Sequence, residues 1–186
     1  MKGIVSLWAC LLVLSGLAFA QAAKPEEPHS IGGDLDHAVA NVEKEFVSAA
    51  EAMPEDKFSF APTNGEFKGV RTFGEQVKHV AAVNYIIAAG ILGEKPPVDT
   101  GGEAGPATVK TKAQTLQFLK DSFAYVHKAM ATINGQNAVE AMKSPFGPHM
   151  TTRLTLAIVI PGHCFDHYGQ MVEYLRMNGI VPPASR

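Results

Sequence analysis

Cysteine, tryptophan and charge are all scarce in this sequence. Its 186 residues include two cysteines and one tryptophan, and only 18% of them are charged. The 16 Lys and Arg nearly balance the 18 Asp and Glu, giving a formal net charge of −2, which excludes a generally basic nucleic-acid binder. There is no GxSxG elbow, no phosphate-binding glycine loop, no CxxCH haem site and no cysteine pair for redox work. A long apolar run occurs once, at the N-terminus, and no second one suits a membrane span. What is present is a 46% hydrophobic chain, ordinary for a folded domain and too apolar for global disorder. The length suits one domain.

Residues 1–20, MKGIVSLWACLLVLSGLAFA, carry one charge at Lys2, an apolar run from Ile4, and Ala18-Phe19-Ala20 ahead of Gln21. This pattern predicts a secretory signal peptide, hence a secreted or periplasmic protein with no membrane attachment once the signal is removed. A rival reading is lipidation at Cys10, but nine residues are a short signal and most of the apolar run would follow the modified cysteine. Removing residues 1–20 leaves 15 basic against 18 acidic residues, a net of −3, and Cys164 as the one cysteine. A mature chain with one cysteine forms no internal disulfide, so a core or a metal must stabilise it.

Residues 21–34 are polar and punctuated by Pro and Gly, and predict a flexible leader before a domain over 35–186. Apolar residues at three- and four-residue steps predict four long helices. The first runs from Asp34 to Met53 on Val39, Val42 and Phe46, and Pro54 stops it. The second opens at Thr72, where Thr72-x-x-Glu75 reads as a capping box, and ends at Gly93. The third spans about Thr108 to Ile133, and the fourth about Thr151 to Asn178 with Pro161 inside it. With no clear strands, these elements predict an all-α four-helix bundle. Faces rich in Ala81, Ala82, Ala88 and Ala89 offer a surface for a homodimer.

Seven histidines are present. His29 and His149 fall in the leader and a loop, and His37 and His127 at positions that read as solvent-facing. His163 and His167, in HCFDHYGQ, lie one turn apart on one helical face, where two imidazoles can share a metal ion. Spacing alone leaves open whether they bind metal or are core or surface histidines. A third ligand has to come from another helix, and His79 is best placed for it, although a core histidine with one hydrogen bond reads the same way. Cys164 points away from the His163–His167 stripe and reads as a small buried residue.

The segments MPEDKFSFAPTNGEFKGVRTFGEQVKHVAAVNY (53–85) and HCFDHYGQMVEYLRMNGIVPP (163–183) resemble the DinB-like (DinB/YfiT) family. The shared features are the TFGEQVxHVAxxN helix with its one histidine and the HxxxHxGQxxxYLRxxGxxPP final helix, and the resemblance extends over residues 35–183. It implies an up-down-down-up bundle holding a divalent metal through His79, His163 and His167. It also implies zinc or nickel as the metal and a metal-dependent enzyme of thiol S-transferase type acting on a small molecule; three imidazoles by their own chemistry leave iron as an option and open positions for activated water, hence a hydrolase. The alternative is a non-catalytic metal- or ligand-binding bundle. Around the ligands, Glu75, Asn84, Asp166 and Gln170 are the candidates to orient an imidazole or meet a substrate. For Glu75 the capping box is the simpler role, and for Asn84 a buried hydrogen bond. An extracytoplasmic setting lacks the thiols of the cytosol, which weighs against thiol transfer.

Overall fold

The computed structural model describes residues 29–186, so the expected signal peptide, Cys10 and most of the expected leader lie outside the described residues. Helix α1 is Ile31–Ala52, α2 Phe73–Leu92, α3 Lys112–Met130 and α4 Arg153–Met177. A short antiparallel hairpin, β1 Ala141–Lys143 and β2 Met150–Thr152, joins α3 to α4 in the register Ala141↔Thr152 and Lys143↔Met150. Strands of three residues are too short to show alternation, which is why the sequence pattern missed them. The chain is a four-helix bundle with that hairpin added at one end.

Each helix starts where a side chain can satisfy its free N–H groups. Ser30 Oγ accepts from Gly33 N at 3.0 Å, so α1 begins three residues before the expected Asp34 and takes Ile31, Gly32 and Gly33 from the leader. Gly32 belongs there for a packing reason: a Cβ would lie 2.7 Å from the Met130 carbonyl oxygen and 2.8 Å from that of Ile133. Only a glycine lets α1 start this close to the end of α3. Thr72 and Glu75 form the expected capping box on α2. A second box, Thr111 with Gln114, starts α3 at Lys112 rather than near Thr108. Helix α4 continues through Pro161.

Four contacts fix the directions. Lys112 Nζ donates to the Glu51 and Met53 carbonyls, so α3 begins where α1 ends. Tyr125 Oη donates to Glu94 at 2.6 Å, which places the far part of α3 beside the end of α2. Arg153 Nε donates to the Ile91 carbonyl, and Tyr174 Oη to that of Arg71, so α4 runs antiparallel to α2. The order is up-down-down-up. Because α2 and α3 are parallel neighbours, segment 93–111 must travel back along the whole bundle, about 30 Å for a helix of this length. It lies tight against α2: Lys78 Nζ donates to the Pro106 and Val109 carbonyls, and a Cβ on Gly105, at φ +83°, would meet Lys78 Cβ at 2.9 Å.

The core sits between all four helices and includes Phe46, Phe73, Phe123, Leu119, Met130, Ile160, Met171 and Leu175, each fully buried. Helix α2 is the central element, buried on nearly every side. Ala81, Ala82, Ala88 and Ala89 are 0–1% exposed, so these alanines are spent inside the chain and form no dimer face. Among the described residues no helix is long and apolar enough to cross a membrane.

His127 is partly buried rather than freely solvated. Its Nδ1 lies 2.5 Å from Asp36 and its Nε2 2.9 Å from Glu43, stapling α3 to α1. Burial works to lower its pKa, but Glu43 and Asp36 outweigh burial and raise it above 6.5. A raised folded pKa gives stability that is complete below the unfolded value and lost as pH climbs through the folded one. His127→Gln is therefore expected to lower the urea midpoint more at about pH 5.5 than at about pH 9. An equal loss at both would show that the charge is not what His127 contributes.

Candidate metal centre

The seam between α2 and α4 brings together His79, His163 and His167, each offering one ring nitrogen within 4.8 Å of the others. Their ring centroids are 4.6–5.0 Å apart and the rings stand edge to face. His79 comes from the second turn of α2, and the other two from successive turns of α4. His79 and His167 are 5% and 6% exposed, while His163 is half-buried and is the imidazole that solvent reaches.

Hydrogen bonds fix two of the three tautomers. His79 Nδ1 lies 2.6 Å from the Glu103 carbonyl on the crossover. A carbonyl only accepts, so Nδ1 carries the proton and Nε2 keeps a free lone pair. For His167 the logic runs through a chain of amides. The Asp166 carboxylate only accepts, so Gln170 Nε2 donates to it at 3.2 Å. Gln170 Oε1 then accepts from Gln76 Nε2 at 2.8 Å, and Gln76 Oε1 accepts from His167 Nδ1. Nε2 of His167 is left with its lone pair.

His163 is different. Its Nε2 stands 3.1 Å from His79 Nε2, and its buried Nδ1 has no partner. A buried polar atom without a partner costs about 1–3 kcal/mol. Two nitrogens bound at about 2.0–2.1 Å to one tetrahedral ion stand roughly 3.4 Å apart, close to the spacing of this pair. The arrangement fits a shared cation: two imidazoles aim fixed lone pairs inward, and the third has a nitrogen against them.

All three imidazoles are neutral at neutral pH, the state that ligates a metal. Burial, followed by the charges of His167, His79 and Arg71, pushes His163 down to about 3. Burial, and then His79, lowers His167 to about 4, and burial lowers His79. Among the described residues the group contains three ligands and no carboxylate or thiol. A cavity of about 410 Å³ opens on a neighbouring face of α2, between Thr72, Glu75 and Lys78 and the start of α3, and the three histidines are not among its lining residues.

The sequence profile of the DinB superfamily matches residues 38–171. The chain belongs to the DinB superfamily. Solved structures with the same fold include a DinB-like protein from Bacillus cereus (TM-score 0.66, 14% identity, covering 81% of this chain and 95% of that one). A conserved protein from Enterococcus faecalis has a TM-score of 0.63 at 14% identity, over 80% of this chain and 97% of its own. YfiT from Bacillus subtilis, described as a probable metal-dependent hydrolase with an unusual four-helix bundle topology, has a TM-score of 0.59 at 18% identity, over 84% and 94%. Among curated proteins none matches the chain.

The other candidates divide. Asp166 and Gln170 belong to the amide chain behind His167. Glu75 does not reach an imidazole by any hydrogen bond: its carboxylate accepts from Thr72 N and Oγ1 at 2.7 and 2.9 Å, and the first of these holds its pKa down. Asn84 is fully buried, donating to Ser122 Oγ at 3.3 Å and accepting from Cys164 Sγ at 3.7 Å, so it ties α2 to α3 and α4 within the core. Burial pushes the Cys164 thiol up to about 12, which suits an inert core residue. Sequence reasoning missed Gln76 and Glu103. Gln76 gave a signal, a polar residue among Phe73, Val77 and Val80, whereas Glu103 acts through its backbone and gave none.

Proposed function

We propose that this protein is a metal-dependent enzyme acting outside the cytoplasm on a small molecule, with His79, His163 and His167 holding one divalent transition ion. The observation that carries this reading is the set of three neutral imidazoles, two with tautomers fixed from behind, without a fourth protein ligand in the group. Three protein ligands with a remaining open position are the pattern of catalytic rather than structural zinc sites. Such an ion supplies Lewis acidity, bringing the deprotonation of water or of a thiol toward neutral pH. Imidazole suits zinc, nickel and iron alike, and we favour zinc or nickel. The N-terminal leader supports a secreted or periplasmic setting, and with it water rather than a cellular thiol as the nucleophile; hydrolysis is the reaction class we favour.

The protein's own part is to orient and to bury. Glu103 and the Gln76–Gln170–Asp166 chain hold two rings in place, so ligation costs little reorganisation. His163 is the least buried of the three rings, which supports substrate entry on its side. Cobalt-loaded protein tests the open position: its visible spectrum is expected to change on titration with azide, at one azide per ion. A spectrum indifferent to azide would mean a saturated ion, and a binding bundle rather than an enzyme.

A further inference from the structure

The helices differ in what they show to solvent. Helix α1 turns Lys44 and Glu51 outward, and α3 turns out Lys120, Asp121 and Lys128. Between Leu154 and Val172, α4 carries Asp166 as its one acidic side chain and no lysine or arginine, although this stretch also has a solvent-facing side. That side bears Ile158, Gly162, Phe165 and Gly169, all exposed, at steps of four, three and four residues that keep them on one stripe. Ile158 is 56% exposed and Phe165 48%, with Val159 beside them at 42%. Phe165 meets Tyr168 of its own helix edge to face, with the ring centroids 6.4 Å apart. Charged and polar residues cover the outer side of a solvated helix, whereas a rimmed apolar one marks an interaction surface.

The two glycines are a second, independent observation. A Cβ on Gly162 or on Gly169 would meet nothing within 4 Å, and neither residue has a positive φ. Glycine inside a helix costs stability relative to alanine, so nothing within this chain accounts for the pair, whereas close approach from outside does. We propose that α4 packs antiparallel against the α4 of a second copy, about a two-fold axis level with the midpoint between His163 and Cys164. About that axis Ile158 of each copy stands level with Gly169 of the other, and Phe165 with Gly162. Both large side chains then meet a hollow, and the same four residues supply both halves of the contact, as an isologous interface requires. A lipid surface is the poorer match, because a helix lying on a membrane sets Lys and Arg along its polar side and this stretch has neither. A charged partner would find one carboxylate, that of Asp166, already taken by Gln170. The contact does not depend on the metal centre: His163 and His167 lie on the side of α4 turned to α2.

Sedimentation equilibrium across the micromolar range, with circular dichroism on each sample, tests the pairing. Wild type is expected to sediment at twice the chain mass, with or without metal. Phe165→Glu, a change at an exposed position, is expected to keep the helical spectrum and to weaken association at least about a hundredfold, because it buries a carboxylate in the contact. Gly169→Leu replaces a helix breaker by a helix former and is expected to fold at least as well as wild type, yet to associate about tenfold more weakly or worse, because the hollow is filled. Adding Ile158→Ala to Gly169→Leu reopens the space and is expected to restore part of the association. A monomeric wild type, a dimer that withstands either single substitution, or a double variant no tighter than Gly169→Leu would overturn the proposal. Monomeric wild type that co-floats with phosphatidylglycerol vesicles would overturn it as well and give the face to lipid.

Discussion

Replacing Gln76 by leucine is expected to weaken divalent-metal binding by about ten- to a hundredfold while leaving the bundle folded. Gln76 is 2% exposed and touches the ion's surroundings only through His167. Leucine has a similar volume, so the space stays filled and the core packing is kept. What is lost is the acceptor that holds the proton on His167 Nδ1, and with it the tautomer that leaves Nε2 free. The same change strips Gln170 of the donor it accepts from and disconnects Asp166 from the ring. Competition against a chromophoric chelator measures the affinity, and circular dichroism confirms the fold. An unchanged affinity would show that the amide chain is packing rather than support for a ligand.

Some of these features were legible in the sequence and others were not, for reasons that lie in the range of the interactions. The capping box at Thr72 and Glu75 is local, four residues long, and sets the start of α2 as the sequence predicts. The equivalent box at Thr111 and Gln114 is just as local, but the apolar periodicity of the flanking segment extended the helix to Thr108. The Gly32-Gly33 pair read as loop punctuation because its cause, the nearby Met130 and Ile133 carbonyls, is about a hundred residues away in the chain. Long-range partners hid the site's support in the same way. Gln76 and Asn84 are both polar residues on an apolar helix, and nothing local says that one faces His167 and the other Ser122. Likewise His127 looks solvated until Asp36 and Glu43 of α1 are laid beside it. The grouping of His79 with His163 and His167 came from the family resemblance; spacing alone had left it open.

Replacing His163 by leucine is expected to move binding and stability in opposite directions. The substitution removes one of three ligands, and two imidazoles held for one ion are a much weaker site, so stoichiometric metal should be lost. It also removes the buried Nδ1 that has no hydrogen-bond partner. An orphaned polar atom costs about 1–3 kcal/mol, and leucine fills much of the ring's space. In the presence of a chelator, His163→Leu should therefore be at least as stable to urea as wild type. A loss of more than about 1 kcal/mol would mean that the imidazole makes packing contacts worth more than its unpaired nitrogen costs.

The claim on which all of this depends is that one transition-metal ion sits among His79, His163 and His167, and elemental analysis tests it most directly. The protein is purified without a histidine tag and analysed beside His79→Ala and His163→Leu. The expected result is about one equivalent of zinc, nickel or iron in wild type and none in either variant. Wild type that holds no metal, even after incubation with zinc, nickel and iron in turn, or variants that keep a full equivalent, would contradict the account.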